Sequence, residues 1–205
     1  MIEPPHLKWE AVRREADKFR RAFVKPPSRL PVPIIEIAEI SLRLEPYPVI
    51  GLMEIDIDGF LTSDLRTICI DSEIYQNPRK ETRLRFTYAH EIGHFVLHKE
   101  EIRKCRFRNT IDWIHFREDF SEENLNWFEQ QAYEFAGRLL VPKEALLVEL
   151  KALESKIIEY KRMAGKEAES LRDAISRTIC KKFGVSPEVV ARRIRSEKIS
   201  LDTFL

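Results

Sequence analysis

Two histidines and a glutamate, set in the stretch Thr87-Tyr88-Ala89-His90-Glu91-Ile92-Gly93-His94-Phe95-Val96-Leu97-His98, are the residues of this chain best spaced for chemistry. They spell H-E-x-x-H. On a helix, residues four apart leave the same face, so the imidazoles of His90 and His94 can grip one metal ion. Glu91 lies about 100° round the helix from His90, within reach of a water at the ion but not placed as a third ligand. Zinc is the expected metal, because catalytic zinc takes three protein ligands and keeps one position open for water. At 100° per residue, His90, Thr87, Leu97 and His94 share one side, and Ala89, Ile92, Val96, Phe95 and Tyr88 share the other. A surface helix would oppose an apolar face to a charged one. Here the second face is histidine, which suits a core helix lining a cleft.

Two imidazoles do not complete such a site. Downstream, a helix over residues 121–140 carries Glu129, and Ala132, Tyr133, Ala136 and Leu140 fall within about 60° of its direction. Small residues on that face let the helix approach closely, and an inward carboxylate needs a partner to offset its desolvation. Glu129 is therefore the expected third ligand, with His98, His115, Glu122 and Glu123 as the alternatives. Glu134, about 140° away, falls on the exposed side by the same phase. His98 as a fourth ligand would close the site and make the zinc structural; the preferred reading is support behind a ligand, or a cation at the helix C-terminus. A hydrolytic site also needs a donor for the oxyanion, and His115 and Tyr133 are the two candidates.

The elements that must position these groups follow from hydrophobic period. Residues 8–24 read as an amphipathic helix through Trp9, Val12, Ala16, Phe19 and Phe23, and residues 34–41 as a short second helix. Residues 42–45, 52–61 and 67–70 alternate, which predicts a small antiparallel sheet, with Gly59 in a turn or at a bulge. Asn77-Pro78 breaks the chain before the metal helix, residues 80–99. Residues 100–121 read as a long irregular connection. From 143 to 183 the pattern is a helical hairpin arm broken near Gly165, and Gly184-Val185-Ser186-Pro187 turns into a last helix capped by Ser186. The fold class is α+β, mostly helical: a core over residues 1–142, and an arm with a helix-turn-helix-like end over 143–205 packed on it.

The bulk properties narrow the setting. The chain has 205 residues, 43% hydrophobic and 34% charged, with a formal net charge of +1. That balance suits a globular protein with no global pull towards nucleic acid or membrane. Arg192, Arg193, Arg195 and Lys198 leave DNA binding open, though a solvated basic face is favoured. No apolar run reaches the ~20 residues of a membrane span, and the N-terminus lacks the apolar stretch of a signal peptide. Three widely spaced cysteines, Cys69, Cys105 and Cys180, argue against a disulfide framework and for a cytoplasmic chain.

Together, Phe86-Thr87-Tyr88-Ala89-His90-Glu91-Ile92-Gly93-His94, with Leu97-His98 after it, and Glu129-x-x-Ala132-x-x-Phe135-Ala136-x-x-Leu139-Leu140-x-Pro142 resemble the ImmA/IrrE family of metallopeptidases. Phe183-Gly184-Val185-Ser186 and Arg192 are similar to the segment that often closes that domain, so the likeness runs from about residue 30 to 198. The resemblance implies a zincin-like, gluzincin-type core with His90, His94 and Glu129 on zinc and Glu91 as base. It also implies a protein substrate, a helix-turn-helix repressor whose cleavage releases genes. The alternative is a toxin or regulatory partner that binds a small repressor or antitoxin and cleaves little. The long connection between the motifs and the arm over 143–180 depart from the family pattern.

Overall fold

A computed structural model describes residues 4–104, 107, 109–164 and 168–201. Cys105 and the proposed break at Gly165 lie outside the described residues.

Two helices form the centre: α4 (Glu81–Leu97), which carries the H-E-x-x-H residues, and α7 (Glu122–Leu140), which carries Glu129. They pack side by side because both present small residues at the crossing. A Cβ added to Gly93 would lie 3.1 Å from both the Cα and the carbonyl oxygen of Ala132, so the two backbones nearly touch there. Ser121 caps α7, its hydroxyl accepting the Asn124 N–H at 3.2 Å. That satisfies one of the N–H groups a helix start leaves unpaired.

Helix α1 (Trp9–Phe23) lies on the other side of α7, burying Val12, Ala16 and Phe19 as its period predicts. Arg20 is buried with it, donating to the carbonyls of Pro27, Arg29 and Leu139 and so tying the end of α1 to the end of α7. After α2 (Ile34–Glu36), which runs into a π-helical turn over Ile37–Ser41, Tyr88 of α4 donates its hydroxyl to Glu39 at 2.6 Å. The proline before α2, Pro33, occupies its N-cap.

The sheet is mixed, which corrects the antiparallel expectation. Its order is β1 (Glu45–Val49), β3 (Thr67–Asp71), β2 (Gly59–Leu61), with β1 parallel and β2 antiparallel to β3. Strand β1 begins where the alternating stretch 42–45 ends, and it contains Pro46 and Pro48. Proline is tolerated there because β1 is an edge strand with one row of donors unused. Most of the run 52–61 is not strand. Met53–Ile55 form a 3-10 turn, Asp56 is left-handed at φ 57°, and the Met53 N–H is taken by the Asp71 carboxylate at 3.0 Å. The period-2 pattern there reflects a turn that buries Leu52 and Ile57. Gly59 is neither hairpin turn nor bulge. It pairs with Ile70 in the ladder, where an added Cβ would sit 2.6 Å from the Cys69 carbonyl oxygen and 3.0 Å from Thr87 Cγ2. Its missing side chain is what lets β2 lie against α4.

After β3, Asp71 caps α3 (Ser72–Gln76), its carboxylate accepting the N–H groups of Glu73 and Ile74. The described residues of 100–121 are not an irregular connection. They hold α5 (Lys99–Lys104) and α6 (Thr110–Glu118), the latter capped by Asn109, whose side chain accepts the Asp112 N–H at 2.9 Å. Trp113, Phe116 and Phe120 are buried with Phe107 and Phe128, and Trp113 stacks on Phe60 at 5.3 Å.

The remaining helices are α8 (Lys143–Ala152), α9 (Glu154–Ala164), α10 (Ala168–Phe183) and α11 (Pro187–Ser196). Gly184, at φ 64°, closes α10 in the left-handed conformation that favours glycine. Buried Arg85 of α4 donates to the carbonyls of Gly184 and Val32, pinning this turn to α4. Pro187 takes the first position of α11, but the Ser186 hydroxyl makes no cap to the backbone and pairs with Glu188 instead.

Candidate metal centre

His90 and His94 leave α4 one turn apart, and Glu129 reaches them from α7. Nε2 of His90 lies 3.0 Å from Nε2 of His94 and 3.1 Å from Oε2 of Glu129, and the third side of the triangle is 3.8 Å. Among the described residues these three are the ones grouped closely enough to hold an ion. A tetrahedral divalent ion with bonds of about 2.0–2.1 Å to nitrogen and oxygen holds its ligand atoms about 3.3 Å apart. The observed triangle matches that spacing, so the residues present fit a divalent metal with two nitrogen donors and one oxygen donor.

Without an ion, these groups set one another's charge. Burial raises the Glu129 carboxyl, but the hydrogen bond from His90 and the nearby His94 imidazole outweigh it and hold Glu129 well below its usual range. Burial alone would lower His90, yet the carboxylate at 3.1 Å raises it; for His94, farther from Glu129, burial prevails and the pKa falls. Glu91 is 3% exposed. Burial pushes its carboxyl up to about 8, helped by the charges of Glu129 and Asp58 and opposed by His90 and by a backbone hydrogen bond from Leu61 of β2. A cation between the three ligands would draw that value back down.

These groups line a cleft of about 360 Å³. One wall is polar: Asp58 and Arg83 form a two-pronged ion pair at 2.8 and 2.6 Å on the rim. The other is aromatic and aliphatic, with Phe60, Phe107, Trp113, Phe116 and Phe128. Tyr133, one turn after Glu129, is part-exposed on the cleft, with its ring 4.7 Å from the His90 ring and the Arg192 guanidinium 5.2 Å from its own centroid.

His90, Glu91, His94, Glu129 and Tyr133 thus come together, and His115 does not. Its side chain is 70% exposed on α6, where it pairs with Glu118 at 2.9 Å and lines no part of the cleft. His98 is fully buried behind His94, its Nδ1 2.9 Å from His94 Nδ1. It faces away from the ion position, so it is no fourth ligand, and burial lowers its pKa well below the usual value, so it is no helix-end cation either. Glu134 points away from the site as its phase requires, but it is buried, accepting from Arg13 at 2.6 Å and Arg193 at 2.7 Å. The Leu61 N–H, the Asp58–Arg83 pair and the aromatic wall escaped sequence reasoning. Of these only Phe128, adjacent to Glu129, carried a positional signal.

Two helices thus present H-E-x-x-H and a downstream glutamate to one cleft, with a buried carboxyl beside the candidate ion position. The chain matches the peptidase family described as IrrE N-terminal-like domain over residues 49–195, and it belongs to that family, the ImmA/IrrE metallopeptidases. Both site motifs fall inside the match. A comparison with curated proteins gives no match. Among the described residues no helix is long and apolar enough to cross a membrane.

Proposed function

We propose that this chain is a zinc-dependent endopeptidase that cuts a helix-turn-helix transcriptional repressor and so derepresses the genes it controls. The observation that supports the chemistry is the triangle of His90 Nε2, His94 Nε2 and Glu129 Oε2, with sides of 3.0, 3.1 and 3.8 Å. Two imidazoles and a carboxylate are a donor set that suits zinc. When bound, zinc supplies a Lewis acid that polarises a peptide carbonyl and makes a water acidic near neutral pH.

The chain's own groups do the rest. Glu91 removes the proton of the attacking water and returns it to the leaving amine. The Leu61 N–H of β2 faces its carboxylate, and burial keeps that carboxylate apart from bulk water. The Tyr133 hydroxyl donates to the carbonyl oxygen of the substrate as charge develops there. The aromatic wall excludes water from one side of the cleft, and the Asp58–Arg83 rim meets the polar backbone of the substrate on the other. The repressor as substrate is what the two motifs' resemblance implies.

The test pairs the purified protein, loaded with zinc, with a candidate helix-turn-helix repressor. Mass spectrometry should find one cut in the repressor with the wild-type chain and none with Glu91→Gln. A Glu91→Gln variant that still derepresses the target genes in cells would instead support the toxin or sequestering partner, which binds its regulator without cutting it.

A further inference from the structure

The two ring nitrogens of His94 face different groups. Nε2 points to His90 and Glu129, and Nδ1 meets His98 Nδ1 at 2.9 Å. His98 is 0% exposed, and its remaining nitrogen, Nε2, is buried without a close hydrogen-bond partner. Gln131 of α7, also 0% exposed, lies near His98 and has a buried Oε1 that likewise lacks a partner within hydrogen-bond distance. Its Nε2 donates to the carbonyl oxygen of Pro5 at 2.8 Å. A carbonyl can only accept, so this bond orients the amide and leaves Oε1 for His98.

One proton arrangement satisfies the whole series. A ring nitrogen that holds a metal carries no proton, so His94 with Nε2 at the ion position carries its proton on Nδ1. That proton is donated to His98 Nδ1. The proton of His98 then sits on Nε2, directed to Gln131 Oε1. The ring of Phe128 lies against both imidazoles, with centroids 4.3 Å away in each case, and holds their planes.

We propose that His98 and Gln131 are positioning residues for His94: with the Pro5 carbonyl behind them, they select the tautomer that leaves His94 Nε2 free as a metal ligand. This rests on the reading of His94 as a ligand. The N-terminal segment, ahead of the family match over residues 49–195, thereby supports the metal centre from behind.

Two measurements on the full-length protein test it: zinc affinity by competition with a chelator, and the imidazole tautomers by long-range proton–nitrogen NMR. In the zinc-loaded wild type, His98 should carry its proton on Nε2. Gln131→Leu, which removes the acceptor, should lower zinc affinity about tenfold, the low end of what losing such a contact costs. Gln131→Glu, which keeps an acceptor, should restore it to within about threefold of wild type, a rescue that a packing role would not produce. A His98 proton on Nδ1 in the wild type overturns the proposal without any variant. So does a Gln131→Leu protein whose zinc affinity stays within about twofold of wild type. A wild-type protein that binds no zinc at all overturns the ligand reading itself, and this inference with it.

Discussion

Glu91 is the residue on which the proposed hydrolysis turns, and its environment makes two effects separable. Glu91→Gln should keep zinc while losing peptide cleavage, since an amide cannot act as base. The same substitution bears on stability without metal. Burial raises the folded carboxyl to about 8, above its ordinary 4.5. Between those values the unfolded chain has given up a proton that the folded chain keeps, so stability falls as pH rises from about 4.5 and is lowest above about 8. Gln mimics the neutral acid. In chelator, Glu91→Gln should therefore resist urea better than wild type at pH 8.5, by up to a few kcal/mol, and show no advantage at pH 4. An equal advantage at both pH values would assign the effect to packing. At Glu129, exchange of a charged oxygen for a neutral one should weaken zinc binding at least tenfold, read by chelator competition. An unchanged affinity would move the third ligand elsewhere.

At the scale of elements, the site depends on how closely α4 and α7 approach. Gly93 has no room for a larger side chain, since even a Cβ would sit 3.1 Å from Ala132 backbone atoms. Gly93→Val should wedge the helices apart, costing about 1–3 kcal/mol of stability, as overpacking does, and lowering zinc affinity with it. A variant with wild-type unfolding midpoint and zinc affinity would show that the contact is not needed. Glu134 separates folding from function on the same helix. It binds Arg13 of α1 and Arg193 of α11, so Glu134→Gln should cost about 3 kcal/mol by leaving Arg13 without its carboxylate and Arg193 with Glu197 alone. Zinc affinity should shift less than about twofold, because the residue faces away from the ion position. A large loss of zinc binding in a folded Glu134→Gln protein would put the helix phase in error.

The contrast between Glu129 and Glu134 shows what the sequence could convey. Helical phase distinguished the inward direction of Glu129 from that of Glu134. It could not show that α1 and α11 cover the far side of α7, because a helical wheel assumes one face in water. Likewise, H-E-x-x-H placed three groups correctly on one helix, while the partner of His98 depended on Gln131 and Pro5, distant in sequence. Helix α6 was legible in principle: Trp113, Phe116 and Phe120 recur at helical spacing behind an Asn109 cap, but basic residues nearby masked the pattern. Strand β1 was obscured by prolines that only an edge strand accepts, and the parallel pairing of β1 with β3 has no local signature.

Across the whole molecule, charge is spent largely on internal joints. Arg138 pairs with Asp17 at 2.8 Å and Glu197 at 3.0 Å, and Arg193 joins Glu134 to Glu197, linking α1, α7 and α11. Arg193, counted from the sequence as part of a basic face, is 1% exposed, and Arg192 is engaged by Gln130 and Tyr133. Arg195 and Lys198 remain exposed on that segment, a small footprint beside the rows of phosphate contacts that hold a protein on DNA. The N-terminal helix and the C-terminal helices thus hold α7 in place, and α7 holds Glu129 against α4. Since a metal that binds only the folded chain adds its binding energy to stability, zinc occupancy and folding should rise and fall together. The most direct measurement is the zinc content of the purified protein and of its His94→Ala variant, by elemental analysis. One equivalent of zinc in the wild type, and its loss in folded His94→Ala together with a lower melting temperature, is the predicted result; a full equivalent in His94→Ala would contradict the metal centre described above.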